Sequence, residues 1–272
     1  DSLCTTCREY PRHTEEFENL REITLSLSCP EVAKIVMNTT EPITFVTKED
    51  ETDECYEEFD YFLFSELEDV REEMIRIIQD RNVNIRDRID KILQISVSVQ
   101  RHYDAGSLIS WNEFEESDRV CVENEYELFE RLFLFLFEEF EILYPQWAEV
   151  LVESRLFLFG EGKKVFEQNK EEFETWWNTS NLTPLDIVLE QLVVYFISVY
   201  LLGAVYDENI LGKVDACIGH TIEIYLLLLG RWLKHGELAM DDVIEVVYRY
   251  SREIEHSDEN LERAEMLNWF AR

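Results

Sequence analysis

The chain has 272 residues, 46% hydrophobic and 13% aromatic, with a formal net charge of −34. That composition excludes a disordered chain, and the length allows a sizeable core in one large domain or two smaller ones. The charge excludes nucleic acid and anionic membrane surfaces, whose phosphates it would repel, and favours a basic or lysine-bearing partner; a merely solubilising acidic surface is the alternative reading.

The opening carries candidate metal chemistry. Cys4 and Cys7 stand in a CxxC spacing, and Cys29, just before Pro30, offers a third thiol from a nearby turn. Two thiolates so spaced can grip one soft centre, zinc or an iron–sulfur cluster. Such a centre usually takes four ligands, and no second CxxC follows. The chain also opens at Asp1 without a methionine, so residues 1–55 read as the tail end of a cysteine-rich metal-binding region whose site is incomplete. Cys29 reads equally well as a core residue. Arg12 and His13 follow Tyr10-Pro11, and the arginine fork suits a cofactor carboxylate, since guanidinium pairs bidentately with carboxylate. Tyr10, and Tyr250 far downstream, could stack on a flat cofactor ring. Surface ion pairing for Arg12 and core packing for the tyrosines are the competing readings.

Ile23, Leu25 and Leu27 alternate with Thr24 and Ser26, which predicts a short half-buried strand. Pro30 opens a helix through Val32, Ile35 and Val36. Pro42 to Thr47 reads as a second brief strand, and Lys48 to Glu54 as a solvated loop. Phe59, Leu63, Leu67, Val70, Met74 and Ile78 then recur on one helix face, with Ile85, Ile89 and Ile92 continuing after a break near Asn82. This predicts a helical hairpin over 56–103. Asp104 to Asn112, with Gly106 and Ser107, reads as a linker to a helical body over 113–272.

In that body, Phe129, Leu132, Phe133, Leu136, Phe137 and Phe140 line one helix. Pro145 begins the next, and Gly160 to Gly162 ends it. Another helix covers Val165 to Trp177, and Thr183-Pro184 starts a nearly all-apolar one through Leu202. The uncharged run Gln191 to Tyr206 is shorter than the roughly 20 residues a membrane span needs, so it reads as a buried helix of a soluble, cytoplasmic protein. Cys55, Cys121 and Cys217 sit singly and read as small core residues. The fold expected is mostly α, a multi-helix bundle-like body with a small irregular N-terminal segment containing one or two short strands.

Titratable groups concentrate in Arg252-Glu253-Ile254-Glu255-His256-Ser257-Asp258-Glu259-Asn260, at an expected helix-to-helix junction. If helical, Glu253 lies one turn before His256 and shares its face. A carboxylate there could orient the imidazole as a general base for a lysine ammonium. The competing reading is structural: Ser257 caps the following helix, and Asp258 and Glu259 favour its positive end. No GxGxxG after a strand, P-loop, GxSxG elbow, HExxH helix or CxxxCxxC motif is present.

Cys7-Arg8-Glu9-Tyr10-Pro11-Arg12-His13, Arg21 to Glu31, Leu202-Gly203-Ala204-Val205-Tyr206-Asp207 and Tyr248 to Asn260, in this order, resemble the flagellin lysine-N-methylases. The chain departs from that pattern at its front, where the family's further upstream cysteine cluster is missing. The resemblance implies methyl transfer from S-adenosylmethionine to lysine ε-amines of a protein substrate, flagellin being the namesake. Carried over, Glu253, His256 and Asp258 are the expected catalytic groups. Arg12, Tyr10, Tyr250, Arg252 and Asn260 are the expected cofactor-binding groups, and Cys4, Cys7 and Cys29 the expected ligands of an iron–sulfur cluster or zinc. S-adenosylmethionine enters through this resemblance alone. The alternatives are a non-enzymatic metal or iron–sulfur-binding helical protein that docks a protein partner, and a plain helical interaction module.

Overall fold

The computed structural model describes residues 10–17, 20–49, 60–107, 124–266 and 269–270. Cys4, Cys7, Cys55 and Cys121, nearly all of the expected loop Lys48 to Glu54, and the second half of the expected linker lie outside them. The chain begins with an antiparallel hairpin of β1 (Arg12–Phe17) and β2 (Leu20–Leu25), in which Arg12 faces Leu25 and Phe17 faces Leu20. The helices are α1 (Pro30–Asn38), α2 (Tyr61–Ile78), α3 (Ile85–Asp104), α4 (Glu125–Glu138), α5 (Pro145–Phe159), α6 (Lys163–Thr179) and α7 (Leu185–Tyr200). A 3-10 turn (Leu201–Gly203) leads into α8 (Ala204–Asp207), α9 (Ile210–His235), α10 (Met240–Ile254) and α11 (Asp258–Glu265). The mostly helical expectation holds.

Two strand expectations need correction. The alternation in β2 is real, but its faces are reversed: Ile23 is 61% exposed and Leu25 46%, while Leu20, Glu22 and Thr24 turn inward. An inward ion pair decides the matter. The Glu22 carboxylate takes a two-pronged bond from Arg71 of α2, at 2.6 and 2.7 Å, and the fixed period of two then sends both aliphatic neighbours out. Pro42 to Thr47 belongs to no strand. Its surroundings are held instead by side chains on backbone carbonyls: Gln79 Nε2 on Ile43 O (2.9 Å), Arg81 Nη1 on Thr40 O (2.7 Å) and Gln191 Nε2 on Glu41 O (2.9 Å). The second strand is β1, whose alternating polar residues gave no hydrophobic signal.

The helices follow their periodicity. Leu63, Leu67, Val70, Met74 and Ile78 of α2 are buried, with Phe64 added between them. The 26-residue α9 is the spine, touching α3, α4, α5, α6, α7, α10 and α11. At Gly230 it passes so near α5 that an added Cβ would lie 3.1 Å from Ser154 Cβ. Gly236 ends it with φ 77°, a left-handed cap that favours glycine. The stretches Leu185–Asp207 and Ile210–His235 are long and apolar enough to cross a membrane, and each is mostly buried against the other helices.

This core holds charges only where they are matched. Glu190 of α7 is fully buried and receives Arg81 (Nη2 at 2.7 Å) and Arg88 (Nη1 at 2.9 Å), while Arg88 also donates to Ile78 O. Glu190→Gln would leave the buried Arg88 guanidinium without its counter-charge. We expect about 3–5 kcal/mol of lost stability in urea denaturation; a loss below about 1 kcal/mol would contradict this role.

Asp215 of α9 is matched less completely. It accepts backbone N–H bonds from Phe270 (3.3 Å) and Trp269, but its Oδ1 has no partner among the described residues. Burial pushes its carboxyl up to about 7, and the two amides only partly oppose this. The native chain therefore keeps this proton to a higher pH than the unfolded chain, whose carboxyl titrates at about 4. Stability from this group is thus present at low pH and lost as pH rises from about 4 to about 7. Asp215→Asn should remove this dependence, so that the wild type loses stability relative to the variant between about pH 4 and about pH 7 in urea denaturation. An unchanged difference would contradict it.

Candidate functional site

The amphipathic α10 ends at Ile254, one residue before Glu255 and two before His256. The shared helix face expected for Glu253 and His256 is therefore not formed: Glu253 is buried and His256 exposed. The Glu253 carboxylate accepts from the backbone N–H groups of Leu143 (2.8 Å) and Tyr144 (3.1 Å), just ahead of α5. Burial raises its pKa, and these amides draw it back down. Asn260 completes the clasp. Its Oδ1 accepts from Glu141 N (2.8 Å), and its Nδ2 donates to Glu253 O (2.8 Å) and Glu141 O (3.1 Å). Ser257 caps α11 by accepting from Asn260 N at 3.2 Å and donates to the Glu141 carboxylate. His256 and Asp258 stand on the exposed turn outside this clasp.

Between the clasp and the hairpin lies a hydroxyl network centred on Glu255. Tyr195 of α7 donates to Glu255 Oε2 at 2.6 Å, Ser251 donates to Oε1, and Tyr200 lies within reach of the charge of the same carboxylate. Burial, then the Glu255 charge, pushes both tyrosines well above the usual phenol range. The Tyr195 hydroxyl also accepts from Leu27 N at 3.2 Å and is reached by Ser26. Ser26 Oγ lies 2.7 Å from Ser28 Oγ, which donates to the Tyr10 hydroxyl at 3.4 Å. A chain of hydroxyls thus runs from half-exposed Tyr10 to Glu255. His13 lies nearby, its pKa raised by Glu15 (2.9 Å) and, more weakly, by Glu255.

The other expected site residues fall around this network. Arg252 donates from Nε to Ser28 O (2.9 Å) and lies 4.9 Å above the Tyr248 ring. Tyr250 is fully enclosed, its hydroxyl bonded to His220 Nδ1 (2.7 Å) and to Glu223. Arg12 is exposed on β1, and Tyr10 precedes it at the hairpin's start. Cys29 is a half-buried free thiol at the N-cap of α1. Among the described residues no group of three or more His, Cys, Asp or Glu could hold a metal.

Tyr195, Tyr200, Ser251 and Glu255 were missed as site residues. A signal existed: two tyrosines in the otherwise apolar α7 each bring a hydroxyl that burial obliges to find a partner. Asn260→Ala should cost about 2–3 kcal/mol, because Glu141 N and Glu253 O lose their buried partners. His256→Ala, on the exposed turn, should stay within about 0.5 kcal/mol. Urea denaturation checks both, and equal effects would contradict the clasp.

Residues 71–269 match the family described as FliB lysine N-methylase C-terminal domain. No curated protein and no solved structure matches the chain. The match takes in Leu202 to Asp207 and Tyr248 to Asn260, with Ser251 and Glu255 in the latter, as well as Tyr195 and Tyr200, and begins after the cysteine-bearing stretch Cys7 to Glu31. Spanning most of the sequence, it shows that the chain belongs to the FliB lysine N-methylase family through that family's C-terminal domain.

Proposed function

We propose that the protein is a lysine N-methyltransferase that moves a methyl group from S-adenosylmethionine to the ε-amine of lysines on a protein substrate, flagellin being the one the family's name points to. The family match over residues 71–269 carries this reading. The strongly acidic chain supports it, since its field attracts lysine-bearing surfaces. Transfer needs the amine deprotonated, desolvated and in line with the donor methyl. The junction of hairpin, α7 and α10 is a half-buried polar place, and the exposed His256, next in sequence to Glu255, is the group assigned to proton removal.

S-adenosylmethionine supplies an electrophilic methyl group on a sulfonium. Of the residues expected to hold it, Tyr250 and Asn260 already use their polar atoms on internal partners. Arg252 commits only its Nε to the backbone among the described residues, and Arg12 is exposed, so these two are the groups that fit the donor's carboxylate. A metal centre on Cys4, Cys7 and Cys29 remains part of the proposal, with Cys29 the one described thiol of the three. A cytoplasmic setting goes with this reading.

The test is incubation of the chain, extended by an upstream cysteine cluster of the kind the family resemblance implies, with S-adenosylmethionine and flagellin, followed by mass spectrometry of the flagellin lysines. Methylated lysines are expected. His256→Ala should lower the rate about a hundredfold or more, within the range ordinary for a general base, with its stability unchanged. No methylation of flagellin or of any other lysine-bearing protein by the extended chain would overturn the reading.

A further inference from the structure

Buried and half-buried carboxylates here are neutralised in distinct ways. Glu190 is paired with Arg81 and Arg88, Glu22 with Arg71, and Glu265 with Lys213. Glu253 and Asp215 are held by backbone amides. Among the described residues Glu255 has neither kind of partner: it is half-buried, it accepts from the hydroxyls of Tyr195 and Ser251, and no lysine or arginine forms an ion pair with it. The groups that sense its charge are His13, Tyr195, Tyr200 and Tyr250. Of these only His13 can become a cation, and its imidazole is engaged by Glu15.

A carboxylate offers about four lone-pair sites. The two hydroxyl bonds from Tyr195 and Ser251 leave room for further donors, and hydroxyls orient the charge without cancelling it. A half-buried anion so arranged is a seat for a cation that comes from outside. The companion carboxylate Glu223 is shut inside with Tyr250 and His220 and has no such opening.

We propose that Glu255, framed by Tyr195, Tyr200 and Ser251, is the binding site for the lysine ammonium of the protein substrate. The identity of that amine rests on the lysine-methylase reading; the site itself, a receptor for a primary alkylammonium, does not. The Tyr195 and Ser251 hydroxyls hold the carboxylate fixed.

The test titrates butylammonium chloride, which has the end of a lysine side chain, into the chain with ring-labelled tyrosines, at roughly physiological ionic strength so that the diffuse acidic field is screened. Saturable NMR shifts are expected at Tyr195 and Tyr200. Glu255→Gln should weaken binding about tenfold or more, whereas Glu149→Gln, at an exposed carboxylate, should leave it unchanged. If Glu255→Gln fails to fold, Tyr195→Phe decides the matter: it removes a hydroxyl that holds the carboxylate while keeping the charge, so butylammonium binding should weaken severalfold, and unaltered binding would overturn the site.

The methylation assay separates this proposal from the reading it deepens. In the extended chain, Glu255→Gln should raise KM for the lysine substrate more than it lowers kcat. Unaltered butylammonium binding and unaltered KM in Glu255→Gln would overturn the site while leaving the methylase reading intact. Loss of butylammonium binding in a chain that methylates nothing would uphold the site and sink the reading.

Discussion

The hydrogen bond from Tyr195 to Glu255 joins parts of the chain that lie far apart in sequence. Tyr195 comes from the middle of the apolar α7, and Glu255 is the residue at which α10 stops. Because the same hydroxyl accepts from Leu27 N, the end of the hairpin is fixed to both. A tyrosine this deeply buried must satisfy its hydroxyl, and a carboxylate beside it must satisfy its charge, so neither can be moved without exposing the other. The start of α1, the Arg252 contact to Ser28 O and the hydroxyl chain to Tyr10 all follow from that fixed point.

The chain solves one recurrent problem in several ways. An excess of acidic residues serves solubility on the surface, but the few carboxylates drawn inward each need a partner suited to the local backbone. Arginine serves where a helix can reach across the core, as Arg88 does for Glu190. Backbone amides serve where a helix begins or a segment docks, as at Glu253 and Asp215. Hydroxyls serve at Glu255 and at the enclosed Glu223.

Much of this was legible in the sequence. The spacing of Leu63, Leu67, Val70, Met74 and Ile78 names a buried helix face, and Pro145, Gly160 and Pro184 stand at helix boundaries, because apolar burial and backbone restriction act locally. The face of β2 was not legible, since the deciding partner, Arg71, lies 49 residues away. Residues 252–260 were legible as a helix-to-helix junction, but the division of labour within them was not. Glu253 and Asn260 are turned to structure by the backbone of residues 141–144, and Glu255 is singled out by Tyr195, 60 residues earlier. Such partners are set by packing and leave no local pattern.

The most direct test of this account is hydrogen exchange at the Leu27 amide. In the wild type this N–H should exchange slowly, like those of the buried helices, because it donates to the enclosed Tyr195 hydroxyl. Tyr195→Phe should speed its exchange about tenfold or more while the amides of α9 stay protected. Fast exchange at Leu27 in the wild type, or no change in the variant, would mean that the hairpin is not fixed at Glu255 and that the junction described here is not the site.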